Sequence, residues 1–226
     1  MTSLSGPRLP PAKGAATHLV VLLHGYGSDG NDLIGLAPHL QQRLPSVAFV
    51  APNAPARVEG SGGYQWFPLT RMDPRELERG VEAARPAVDR FLDEELARLS
   101  LPPDRLVMAG FSQGTMLSLH VGLRRAVKPA AIIGFSGLLP TKPPQGDKPP
   151  ILLTHGDADT VIPPQAMLVA AIELGAAGAA VQWHLGPGIG HGIDPDGLSI
   201  ATEFLARALQ GQLKTEGEIC CPLTQA

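Results

Sequence analysis

The segment Gly110-Phe111-Ser112-Gln113-Gly114 constrains this chain more than any other. It follows the apolar run Leu106-Val107-Met108-Ala109 and precedes a stretch, 115–125, whose spacing reads as a helix. A serine with a glycine two residues away on either side, between a buried strand and a helix, has the pattern of a nucleophile elbow. The chain turns so sharply there that the serine takes strained backbone angles and its Oγ stands clear of the sheet. The glycines leave room where strand and helix cross. The pattern therefore demands a strand feeding directly into a helix, with an oxygen nucleophile at the turn.

The remainder of the chain alternates in the same way. Residues 18–23 form an apolar, β-branched run ended by His24-Gly25. Residues 32–44 have helical spacing, with Leu33, Leu36, Ala37 and Leu40 on one face. A short strand at 47–51 stops at Pro52, and 53–68 reads as a long loop holding Gly60-Ser61-Gly62-Gly63. Residues 74–99 read as a long helix opened by Asp73-Pro74, a pairing suited to an N-cap and first turn. Pro86 inside it predicts a kink or a break. Further strands fall at 106–111, 130–135, 151–154 and 181–185, with helices at 165–175 and 195–209. The proline-rich loop 137–150 is longer than a plain connection needs and is a candidate binding rim. Buried strands alternating with helices predict an α/β fold: a mostly parallel sheet with helices on both faces. Ligands of such sheets bind beyond the carboxyl ends of the strands.

At 226 residues the chain is expected to be one domain, 1–226, with a core over about 18–209 and loose ends at 1–16 and 211–226. A net charge of −3, without a basic stripe, points away from nucleic acid. No apolar run approaches the roughly 18 residues of a membrane span, and the start of the chain through Lys13 has no apolar signal region. The two cysteines are the neighbours Cys220 and Cys221, which cannot staple a fold. They are read as tail residues without a metal or redox role, in a reducing compartment, hence the cytoplasm.

A serine hydroxyl needs a neighbouring base. His191 lies in Gly188-Ile189-Gly190-His191-Gly192, after one strand and before the last helix. The acid that orients it should follow strand 151–154, where the chain reads His155-Gly156-Asp157-Ala158-Asp159-Thr160-Val161-Ile162-Pro163. Asp159 is preferred over Asp157 for its distance to Ile162-Pro163, and Asp157 is read as a turn former bonding amides two residues on. The chain order Ser112, Asp159, His191 is the one used where an elbow sits on a parallel sheet. His24 and His155, each before a glycine at a strand end, are read as loop braces.

Acyl transfer passes through an oxyanion that backbone N–H groups must already face. One donor is expected from Gln113, the residue after the nucleophile. The other is expected from Tyr26 in His24-Gly25-Tyr26-Gly27. Trp66 and Phe67 either line an acyl or alcohol site or pin their loop onto the core. Leu138 and Leu139 could form the other wall.

Together these segments resemble the phospholipase/carboxylesterase family of α/β-hydrolases, which includes bacterial carboxylesterases and acyl-protein thioesterases. The likeness covers roughly residues 18 to 209. It rests on 23–29, Pro52-Asn53-Ala54-Pro55, Trp66-Phe67, the Ser112 pentapeptide, 155–159 with Ile162-Pro163, and Gly190-His191. It implies an α/β-hydrolase fold without a large lid domain, Ser112 as nucleophile, Asp159 as acid and His191 as base, with Tyr26 and Gln113 at the oxyanion positions. It also implies no cofactor, no metal, and in some members a homodimer. Tyr26 stands where a leucine is common, and the tail with Cys220-Cys221 lies outside the family pattern. The expected activity is that of a serine carboxylesterase acting on short- to medium-chain carboxylic esters through an acyl-enzyme. The partner is a small-molecule or lipid ester, without nucleic acid or stable membrane insertion. One alternative is an acyl-protein thioesterase or lysophospholipase acting on long acyl chains. Another is a non-catalytic ligand-binding protein on the same fold, which the three retained catalytic groups argue against.

Overall fold

The computed structural model describes residues 4–213 and the backbone of residues 219–220. The strands are β1 (Arg8–Leu9), β2 (His18–Leu23), β3 (Val47–Val50), β4 (Ala56–Arg57), β5 (Tyr64–Gln65), β6 (Leu106–Phe111), β7 (Ala131–Phe135), β8 (Ile151–Gly156), β9 (Val181–Gly186) and β10 (Ile219–Cys220). The α-helices are α1 (Gly30–Ile34), α2 (Ala37–Arg43), α3 (Pro74–Arg98), α4 (Gln113–Arg124), α5 (Gln165–Ala176) and α6 (Pro195–Leu209). Eight strands form one sheet in the order β1-β3-β2-β6-β7-β8-β9-β10. The pairs from β3 to β10 are parallel, and β1 alone runs antiparallel, on β3.

The period of two along each strand sorts the core into two layers. Leu19, Val21 and Leu23 of β2 join Leu106 and Met108 of β6 under α3 and α4. Val20 and Leu22 join Val107 and Ala109 on the opposite face, against Leu33, Ala37 and Leu40 of α1 and α2 and Phe204 and Leu205 of α6. On the first face α5 extends the layer, with Met167 and Leu174 packed on Ile151, Leu153 and Val181. Side chains wholly buried in this way contribute roughly 1.5–3 kcal/mol each. Burial on both faces explains why the central strands read as unbroken apolar runs.

Four local expectations need correction. The single helix expected at 32–44 is two, because Gly35 caps α1 and Pro38 sits in the first turn of α2, where its missing N–H costs nothing. The loop 53–68 contains the β4–β5 hairpin, with Ala56 opposite Gln65. Pro86 does not break α3, which runs for 25 residues. Pro86 is exposed, so the Glu82 carbonyl it leaves unbonded faces water, while Leu77, Val81, Val88, Phe91 and Leu92 remain buried along the other side. Finally, the chain ends are not wholly loose. Leu4 is buried, Arg8 pairs with Val50, and Ile219 and Cys220 pair with Val181 and Gln182. Edge strands of two residues are too short to announce themselves by alternation. Cys221 lies outside the described residues.

Among the described residues no helix is long and apolar enough to cross a membrane, and no cluster of His, Cys, Asp and Glu could hold a metal ion.

Candidate active site

The site forms at the carboxyl ends of β2, β6, β8 and β9. Ser112, between β6 and α4, has φ 52° and ψ −112°. A side chain bearing a Cβ in this region holds strain of about 1–3 kcal/mol, which the surroundings must impose. They do so by hydrogen bonds. Ser112 N donates to Phe135 O at 2.9 Å, and its carbonyl accepts from Thr115 N at 3.0 Å and Met116 N at 3.2 Å. The Thr115 hydroxyl lies 2.6 Å from Gly110 O and 2.8 Å from Phe135 O, tying helix to both strands. A Cβ on Gly110 would collide with the Gly114 carbonyl, and one on Gly114 with the Leu23 carbonyl. Both glycines of the pentapeptide are therefore steric requirements of the crossing.

His191 Nδ1 and Asp159 Oδ2 are 2.7 Å apart. The other carboxylate oxygen, Oδ1, accepts from Val161 N at 2.8 Å and Ile162 N at 2.9 Å. Burial alone would raise the Asp159 carboxyl. The bonds from His191, Ile162 and Val161 outweigh it and hold the group below its ordinary value, so it is ionised. The carboxylate must accept at Oδ2, which assigns the proton to His191 Nδ1 and leaves Nε2 free to act as a base. The His191 ring packs on Phe111, the residue before Ser112, with centroids 4.9 Å apart. Among the described residues no hydrogen bond yet joins Ser112 Oγ to His191. Such a bond is often long before substrate binds and tightens in the complex.

The loop that carries His191 is fastened from three sides. Asp157 Oδ1 accepts from Gly188 N at 2.6 Å, Ala158 N donates to Ile189 O at 2.9 Å, and Ser136 Oγ donates to Gly192 O at 2.7 Å. Asp157 thus braces the histidine loop across 31 residues instead of turning its own segment. Ser136, at φ 46° after β7, is another strained serine, which sequence reading missed.

The early loop lies against the nucleophile: a Cβ on Gly25 would stand 3.4 Å from Ser112 Cβ. His24 Nε2 accepts from Ala54 N at 3.0 Å, so Nδ1 carries the proton donated to Gly25 O at 2.7 Å. His24 is the loop brace expected of it. Gly27 N donates to Tyr64 O at 2.8 Å, joining this loop to the β4–β5 hairpin. The Gln113 side chain clamps the next segment, accepting from Trp66 N at 2.9 Å and donating to Phe67 O at 2.7 Å. The Gln113 amide, at the first residue of α4, has no acceptor within the helix and lies at the positive end of its dipole.

Of the expected pocket residues, Trp66 and Phe67 both make contacts that anchor their loop. Each is 3% exposed in the core beneath α3, Trp66 Nε1 donates to His24 O at 2.9 Å, and Phe67 packs on Gly80. Tyr26 is 42% exposed at the rim. Leu138 and Leu139 are half-buried beyond β7. A groove of about 540 Å³ lies elsewhere, between α2 and α6, bounded by Leu36, His39, Ile193 and Leu198. It includes none of Ser112, Asp159 and His191, so its size does not make it the reaction site.

A parallel sheet with helices on both faces, a strained serine after its central strand and a histidine–carboxylate pair beyond later strands define the α/β-hydrolase class. The chain belongs to the phospholipase/carboxylesterase family, whose pattern it matches over residues 6–209. It is similar to acyl-protein thioesterase 1 homolog 1 of Dictyostelium discoideum, 27% identical over 212 residues that cover 87% of this chain and 94% of that one. It is similar also to acyl-protein thioesterase 1 of Neurospora crassa, 29% identical over 226 residues, 90% of this chain and 91% of that one. Among solved structures it resembles esterase PE8, with 42% identity and a TM-score of 0.86 over 92% of this chain and 100% of that one. The chain is an ester hydrolase of this family.

Proposed function

We propose that Ser112, His191 and Asp159 act as nucleophile, base and acid in hydrolysing short- to medium-chain carboxylic esters. The observation that carries this reading is the Asp159–His191 pair at 2.7 Å, with the imidazole packed on Phe111 beside the Ser112 turn. His191 Nε2 takes the Ser112 proton as Oγ attacks the acyl carbonyl. The Tyr26 and Gln113 amides hold the resulting oxyanion, and each such donor typically contributes on the order of 10²–10³ in turnover. His191 then protonates the leaving alcohol. Water, deprotonated by the same nitrogen, releases the acid from the acyl-serine.

Leu138 and Leu139 are the proposed acyl wall. The space behind Leu138, among Thr115, Leu119, Leu153 and Met167, is packed too closely to admit even a water molecule. A second reading, hydrolysis of long-chain thioesters or lysolipids, is favoured by the relatives named acyl-protein thioesterase. It is favoured also by the exposed apolar Val161, Leu168, Val169 and Ile172 beyond the acid turn. Initial rates on p-nitrophenyl esters of graded chain length, with Ser112→Ala as the blank, separate the two. A maximum at short chains supports the first reading; a maximum at long chains replaces it with the second. The paired thiols at Cys220 and Cys221 fit the reducing cytoplasm, and a homodimer remains part of the proposal. Cell fractionation and sedimentation test these two points.

A further inference from the structure

His155 ends β8 and is wholly buried. Its Nε2 lies 2.9 Å from the Ile162 carbonyl and 3.1 Å from Asp159 Oδ2. Both neighbours are acceptors, so Nε2 must carry a proton: a bare lone pair there would face two oxygens. Its other nitrogen, Nδ1, is buried without a partner. A proton on Nδ1 would be a buried donor with no acceptor. The arrangement therefore places a proton on Nε2.

That single N–H closes a ring of contacts around the acid. The Ile162 amide donates to Asp159 Oδ1 at 2.9 Å, and the Ile162 carbonyl is held by His155. The flank of the same N–H faces Oδ2, the oxygen that also meets His191 Nδ1 at 2.7 Å. With the turn tied at Ile162 and the carboxylate edge beside His155, the Asp159 side chain has no free rotation left about its last bond.

We propose that His155 is a positioning residue for the reaction: it acts through Asp159, fixing the carboxylate plane so that Oδ2 addresses His191. The inference rests on the proposed roles of Asp159 and His191. Its sequence position before Gly156 suggested only a loop brace. The contact with the acid arises because the turn 157–162 folds back over the end of its own strand.

The test uses the full chain with His155→Leu, which fills the site without a donor, and His155→Gln, whose amide nitrogen reaches the position of Nε2. Rates are taken per active site, counted by burst titration. For His155→Leu, kcat should fall about 10- to 100-fold with KM within about twofold, since misplacement of a catalytic group by an ångström costs on that order. His155→Gln should recover most of the loss. Equal kcat in wild type and His155→Leu, or no recovery with Gln, overturns the proposal. Should His155→Leu fail to fold, the ¹⁵N shifts of the wild-type ring decide: a proton on Nε2 supports the proposal, and a ring protonated at Nδ1 alone overturns it. Asp159→Ala separates the two levels. If that variant keeps full activity, the proposed triad fails; if it is inactive while His155→Leu is normal, only the role of His155 fails.

Discussion

At the scale of single residues, the site depends on a few groups with no spare partners. Asp159→Asn keeps the shape of the acid but favours the wrong tautomer of His191. Turnover should drop on the order of 10³–10⁴-fold with little change in KM, measured as initial ester hydrolysis. The Gln113 side chain bonds two main-chain groups 46 and 47 residues away. Gln113→Leu would strand Trp66 N and Phe67 O without partners. Unpaired buried groups cost about 1–3 kcal/mol each, so urea unfolding should register a loss of about 2–4 kcal/mol. A loss below about 0.5 kcal/mol would mean the clamp is not formed in solution. The residues of the elbow and the Asp159 turn were legible because their chemistry is local: glycines two residues either side of a serine, and an aspartate two and three residues before the amides it accepts. The Gln113 clamp, the Asp157 brace and the His155 contact were not legible, since each depends on which distant loop tertiary packing brings alongside. The bond from the Trp66 indole N–H to His24 O, 42 residues away, was beyond sequence reading for the same reason.

At the scale of elements, strands and helices followed from pattern and boundaries followed from special residues. The parallel pairing of the six longer strands was legible in the alternation, because parallel pairs require crossovers of the kind the helices supply, whereas the strand order and the edge strands β1 and β10 were not. What period alone could not decide was how proline acts. Pro38 starts a helix and Pro86 sits inside one, and the difference lies in position along the helix: a first-turn N–H has no partner to lose, whereas the bond lost at Pro86 is on the exposed side. Pro86→Ala should restore the bond to the Glu82 carbonyl and stabilise the protein by about 1–2 kcal/mol, read from the urea midpoint at unchanged slope. A destabilisation would mean that the rigidity proline lends the unfolded chain outweighs the missing bond. The Gly110–Gly114 crossing tolerates no such change. Gly114→Ala forces a Cβ onto the Leu23 carbonyl, so β2 and α4 must separate. Hydrolysis should be lost even where circular dichroism stays near wild type.

At the scale of the molecule, the shifted histidines and carboxylates all point one way. Burial pushes His18 and His24 down from 6.5, and burial with neighbouring Arg124 pushes His120 down to about 4. The Thr70 hydroxyl and the amides of residues 70–72 pull Glu76 down to about 2. Burial would raise Glu95, but its bonds to Arg8 and Arg98 outweigh that and lower it. A folded-state value below the unfolded one means that the unfolded chain binds more protons, so stability falls as pH falls. The histidines should begin this loss near pH 6.5 and the carboxylates add to it below about pH 4.5. Urea midpoints between pH 8 and pH 4 should decline in that order. A flat profile would contradict the buried neutral state of His120.

The central claim is that one strained serine performs the hydrolysis. Reaction with a fluorophosphonate, read by intact mass and peptide mapping, tests it most directly. One adduct per chain is expected, on Ser112, with ester hydrolysis lost in proportion to labelling and no adduct on Ser112→Ala. Hydrolysis that survives full labelling, or an adduct on another residue, would contradict it.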